Sequence, residues 1–282
     1  MSDPGLSTSG ASTFDTFPEG ELRAGVVETA AQRPNVIALA AIILTVAAAW
    51  IYLVKAPMPG SMSGEGMAGM AMTAPSLGTW SALDGLLLFA MWAVMMVAMM
   101  LPSAAPMILL FSRIGATRSA RAGASTPVLF FALGYLIVWC SFSAVAALVQ
   151  WALHSLALLS PDMRAPSPVA GAAILIAAGV YQWLPIKQTC LKHCRSPLGF
   201  LATSWREGRR GAIAMGIEHG AFCVGCCWLL MALLFVAGVM NLVWVAALST
   251  IVLMEKVAPR GAMIARAVGV GFIVTGVAGL IS

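Results

Sequence analysis

Residues 218–228 read EHGAFCVGCCW and place a glutamate, a histidine and three cysteines inside an otherwise apolar run. Thiolate and imidazole are soft or borderline ligands that suit Cu(I) or Zn(II). With His219 set at zero on a helix of about 100° per residue, Cys223 falls near about 40° and Cys226 near about −20°, so the three share one face. Cys227 borders that face at about 80°, and Glu218 turns to another surface at about −100°. An intramembrane carboxylate is a functional candidate as a partner for a base or a water path. The bland account is that Arg209 or Arg210 neutralises Glu218 near the helix end.

Three further groups carry soft donors. In TCLKHCRSP, residues 189–197, Cys190, His193 and Cys194 lie on one face if the segment is helical. In a reducing compartment such a C-x2-H-C pattern reads as a metal or redox site and not as a disulfide framework. In MWAVMMVAMMLPSAAPM, residues 91–107, Met91, Met95 and Met99 form one stripe, and Met96, Met100 and Met107 an adjacent one. Methionine also fills irregular packing. Pro102 and Pro106 add weight to a binding role, because each removes a helix hydrogen bond and bends the backbone. The third group is MPGSMSGEGMAGMAM, in which Met58, Met62, Met67, Met70 and Met72 are spaced by Gly, Ala and Ser. Thioethers bind Cu(I) and survive an oxidising compartment; a flexible linker is the competing account. Cys140 reads as a small core hydrophobe and His154 as an interfacial residue.

These groups must be carried by membrane helices. The chain is 60% hydrophobic and only 10% charged, with mean hydropathy +0.92, against roughly a quarter charged residues in soluble domains. A span needs about 20 apolar residues, and seven such runs are expected, near 36–54, 85–111, 127–153, 168–185, 212–237, 240–256 and 262–281. An all-α polytopic bundle follows. If the N-terminus is inside and the C-terminus outside, every one of the 16 basic residues except Lys55 and Arg164 falls on the cytoplasmic side, as basic residues near membranes prefer. The +5 net charge then reports topology and not a nucleic-acid surface.

Residues 1–34 are rich in Gly, Ser, Thr and Pro and read as a disordered cytoplasmic tail without the form of a signal peptide. Residues 35–282 read as one transmembrane domain, with a Met-rich outer loop at 56–79 and a basic cytoplasmic loop at 186–211. No Walker motif or phosphorylatable DKTG-type aspartate is present, so ATP does not drive movement within this chain. No catalytic constellation stands out either.

The combination of WAVMMVAMMLPSAAPM, PIKQTCLKHCRSP and EHGAFCVGCCWLLMALLFVAGVMNLVW, closed by EK at 255–256, resembles a bacterial family of predicted metal-binding integral membrane proteins sometimes linked to copper handling. The resemblance runs from about residue 80 to 281 and implies that Met95, Met96, Met99, Met100, Cys190, Cys194, His219, Cys223, Cys226 and Cys227 are metal ligands. The Met-rich loop lies outside it.

The expected function is soft-metal binding, Cu(I) ahead of zinc, in a multi-pass protein of the bacterial inner membrane. Ligand strength rising from outer thioethers to inner thiolates points to copper uptake, transfer or delivery to a soluble carrier or a membrane complex. One alternative is a membrane thiol–disulfide oxidoreductase built on Cys223 and Cys226, against which stands the lack of cysteine in the outer loops. Another is a scaffold subunit whose Gly269, Gly271, Gly276 and Gly279 admit a neighbouring helix, although packing within the chain is the better account of those glycines.

Overall fold

The computed structural model describes residues 19–55, 82–122, 128–155, 167–239 and 241–281, and every regular element among them is an α-helix. In chain order these are α1 (Glu19–Lys55), α2 (Ala82–Ala122), α3 (Val128–Ser155), α4 (Pro168–Tyr181), α5 (Pro185–Arg195), α6 (Pro197–Ser204), α7 (Gly208–Ala232), α8 (Leu234–Ala237), α9 (Leu242–Val257) and α10 (Gly261–Ile281). The Met-rich loop, with Met58, Met62, Met67, Met70 and Met72, lies outside the described residues, as do residues 1–18. Helix α1 begins at Glu19, within the segment expected to be an unstructured tail. The run EGELRAGVVETAAQR is dominated by Glu, Leu, Arg, Gln and Ala, which favour helix strongly enough to extend the first apolar segment backwards.

Among the described residues five stretches are long and apolar enough to cross a membrane: 36–55, 82–116, 128–153, 208–237 and 261–281. The bent pair α4–α5 makes six if it is counted as one span. Helix α9 has 16 residues, or about 24 Å at 1.5 Å per residue, against a hydrocarbon core of about 30 Å. The outer faces are apolar, with Leu129, Val243 and Ile281 between 74% and 82% exposed. Water would penalise so much contiguous apolar surface, whereas lipid accepts it.

Glycine sets how closely the central helices approach. A Cβ on Gly134 of α3 would strike the Ile213 carbonyl of α7, and one on Gly216 of α7 would strike the Phe131 carbonyl of α3. Without side chains at the crossing, the two backbones meet directly, which is how membrane helices gain packing energy in the absence of a hydrophobic drive. On α10, Gly269 and Gly276 fit against the Gly179 and Ala172 carbonyls of α4, while Gly271 and Gly279 have nothing within 4 Å of a Cβ. Two of the four glycines that suggested a scaffold face therefore serve packing inside the chain.

A proline creates the other feature on which the centre depends. Leu184 is held extended (φ −65, ψ 141) ahead of Pro185, since the proline ring disfavours helical geometry in the residue before it. The chain turns by 63° there, and α5 is laid against α7 and α9. Ser167 and Asn241 cap α4 and α9 through their side-chain oxygens, which satisfies otherwise orphaned backbone N–H groups.

Gly216→Ala should cost about 1–3 kcal/mol by overpacking the α3–α7 crossing, whereas Gly271→Ala should be neutral or slightly stabilising. Thermal unfolding of the two purified variants in the same detergent compares them directly; equal midpoints would refute the backbone contact.

Candidate metal centre

Helix α7 presents Met215, His219, Cys223, Cys226 and Cys227 to the interior, all buried, as the 3- and 4-residue spacings require. Helix α2 runs unbroken through Pro102 and Pro106 and brings Met95, Met96, Met99 and Met100 into the same core. The two donor sets touch at one point: the Cys227 thiol lies 3.9 Å from Met100 Sδ. An ion roughly 2.3 Å from each sulfur, the usual metal–thiolate distance, could span that gap. Cys227 also pairs with the Cys223 thiol and reaches the Cys223 carbonyl at 3.0 Å.

The carbonyls of the turn leading into Pro102 are satisfied from outside the helix ladder. Met100 O accepts from Ser103 Oγ at 2.8 Å and from Tyr135 OH at 3.1 Å, and Met99 O accepts from Ser249 Oγ at 3.4 Å. These side-chain bonds tie Ser103, Tyr135 and Ser249 to the α2 backbone beside Pro102; the carbonyls that Pro102 and Pro106 themselves leave without a helical donor are those four residues earlier, of Ala98 and Pro102.

Helix α5 adds the second cysteine pair. Cys194 lies against the Cys226 thiol across the α5–α7 interface. Cys190 Sγ sits over Gly225, 2.9 Å from where a Cβ would stand; any larger residue at 225 would push the sulfur away. His193 is engaged differently. Its ring stacks on Phe222 at 4.1 Å between centroids and 6° between planes, and Nδ1 meets the Thr189 carbonyl at 3.0 Å. Of the three residues expected on one face, the cysteines approach the α7 thiols and the histidine lies on an aromatic ring.

His219 is enclosed by the rings of Phe131, Tyr135 and Phe200, with centroids 5.8–6.1 Å away, and its buried Nδ1 has no hydrogen-bond partner. Leaving such a group unsatisfied costs about 1–3 kcal/mol, which a ligated ion would recover. Glu218 points away from the thiols. It accepts from Ser204 at 3.2 Å and lies 3.5 Å from Arg206 Nη2, so Arg206, rather than Arg209 or Arg210, neutralises it.

The residues not anticipated as part of the centre are mostly charged. Lys256 is 7% exposed and donates to Cys223 Sγ at 2.9 Å and to Ser103 Oγ at 3.0 Å. Tyr135 OH stands 3.1 Å from the same sulfur. Beside them Lys187 and Glu255, 0% and 1% exposed, form a 2.7 Å ion pair, and Gln182 Nε2 donates to the other carboxylate oxygen at 2.9 Å. Arg195 closes over the end of α9 through the Glu255 and Pro259 carbonyls. Lys187 and Lys256 look from the sequence like cytoplasmic topology markers, yet both are buried in protein. The signal that could have found them is the adjacent EK pair ending an apolar run, since charges at membrane depth are rare without a partner.

Among the described residues no three His, Cys, Asp or Glu side chains already converge as a complete site. The Met100 thioether, 3.9 Å from the Cys227 thiol, adds a donor of a further kind beside the cysteines.

Helices long and apolar enough to cross a bilayer thus surround a buried core of thiols and thioethers. The family of copper chaperones described as PpoB2 matches residues 89–279; the chain belongs to it. The matched span runs from α2 to α10, includes the α2 methionines and the cysteines described above, and excludes the Met-rich loop. No curated protein and no solved structure matches the chain.

Lys187→Met should lower stability by about 3–5 kcal/mol by stranding the Glu255 carboxylate, and Lys187→Met with Glu255→Gln should recover part of that loss. Denaturation in detergent measures both, and additive losses would contradict a paired network.

Proposed function

We propose that this protein binds Cu(I) within the bacterial inner membrane and passes it between methionine and cysteine ligands for delivery to a partner, a soluble metal carrier or a membrane complex. Membership of a copper chaperone family supports the choice of metal. The observation that carries the transfer reading is the Cys227–Met100 contact at 3.9 Å, because a ligand-to-ligand handover requires donors of the two kinds within reach of one ion. Soft sulfur ligands favour Cu(I) over zinc.

In this reading Met67, Met70 and Met72 gather the ion at the outer face, Met95, Met96, Met99 and Met100 hold it along α2, and Cys223, Cys226 and Cys227 with His219 receive it. Cys190 and Cys194 then form the exit toward the cytoplasm, beside Cys226; His193, stacked on Phe222, borders that exit. The chain crosses seven times, N-terminus inside and C-terminus outside, with α4–α5 as a broken span and the short α9 as another. A broken helix beside a binding centre is tolerated where it is buried in protein, and here Pro185 turns α5 onto the thiols. Handover to a partner needs no catalytic residue, only competing ligands of rising strength.

Protein purified under reducing conditions should retain about one or more Cu(I) per chain, and Cys223→Ser with Cys226→Ser should release most of it, read by metal analysis after desalting. Undiminished copper in the double variant would remove α7 from the path.

A further inference from the structure

Among the described residues, one ammonium of the centre, that of Lys256, forms no ion pair with a carboxylate. Lys187 is matched by Glu255 at 2.7 Å, and Glu218 by Arg206 at 3.5 Å. Lys256 instead donates to a sulfur, Cys223 Sγ, and to the neutral Ser103 hydroxyl. It is thereby placed on the thiol cluster, between α2 and α7.

A cation of this kind next to a proposed cation site looks at first like a defect, since two like charges in an apolar interior repel strongly. The charge count resolves it. A Cu(I) ion held by two thiolates carries a net charge of minus one, and an uncompensated ion in a low-dielectric interior is costly. One fixed ammonium brings the assembly to zero. Met100, the neighbour of Cys227, adds a third donor without adding charge.

We propose that Lys256 is the built-in counter-ion of a copper site formed by Cys223, Cys227 and Met100, and that it makes the loaded site electroneutral inside the bundle. The proposal rests on the copper reading above and adds to it a fixed ligand charge and a residue that sets affinity without touching the metal. Ser103 and Tyr135 support the arrangement. Ser103 Oγ accepts one Lys256 proton while donating to Met100 O, and Tyr135 bridges Met100 O and Cys223 Sγ. The ammonium, the Cys223 thiol and the backbone of Met100 on α2 are thereby tied to one another by short contacts.

Cu(I) titration of the purified full-length protein in lipid nanodiscs, against a chromophoric Cu(I) chelator, tests this. Lys256→Arg should hold Cu(I) within about threefold of wild type because it keeps the charge. Lys256→Gln, which keeps a donor for Ser103, should weaken binding by about 10–100-fold, the range for outer partners of metal ligands. Lys256→Met, whose stem matches that of lysine, should do the same, so that failure of one neutral variant to fold leaves the other. In a Cys223→Ser background the neutral substitutions should have little further effect, because the thiolate they fail to balance is absent. Wild-type affinity, or tighter binding, in a folded neutral variant overturns the counter-ion role while leaving copper binding intact. A wild-type protein that takes up no Cu(I) overturns the copper reading itself.

Discussion

Charge neutrality inside an apolar bundle is the constraint on which the rest of the structure depends. Lys187, Glu255 and Lys256 are all buried, and in such surroundings an unpaired charge would unfold the protein or be neutralised, a lysine by losing a proton and a glutamate by gaining one. Glu255 answers Lys187 at 2.7 Å, and the Cys223 sulfur answers Lys256 at 2.9 Å. Since Glu255 and Lys256 are consecutive on α9, the helix binds α5 with one side chain and α2 and α7 with the next. The arrangement that keeps the charges paired also holds three helices around the thiols.

The close backbone approach of α3 and α7 belongs to the same logic. With glycine at 134 and 216 the helices meet without intervening side chains, and Tyr135, next to that crossing, reaches both Cys223 and Met100 O. The Pro185 turn does the corresponding work on the other side by laying α5, with Cys190 and Cys194, over α7. Each device is a local sequence choice, a small residue or a proline, with a long-range result.

Much of this was readable in the sequence because helical periodicity is simple. His219, Cys223, Cys226 and Cys227 are all buried as their angular positions required, and Glu218 turns outward as expected, to Arg206. The helical state of 185–195 and the internal role of Gly269 and Gly276 were also accessible. What could not be read was contact between distant segments. Nothing in the sequence states that Met100 meets Cys227 rather than Cys226, that Phe222 takes His193 out of the thiol group, or that Lys256 lies on Cys223. Basic residues at helix ends look alike whether they face headgroups or a buried anion, and only packing separates Lys256 from Arg260. The helical start at Glu19 was not expected, because the Ser- and Thr-rich composition of residues 1–18 drew attention from the helix-forming run behind it.

The central claim is that a thioether of α2 and the thiolates of α7 hold one ion together. X-ray absorption at the copper edge of Cu(I)-loaded, selenomethionine-labelled protein tests it most directly, because selenium marks the methionine ligands among the sulfurs. The account predicts copper–selenium scattering alongside copper–sulfur scattering, with the selenium contribution lost in Met100→Leu. Copper–sulfur scattering alone in the labelled wild-type protein would contradict it.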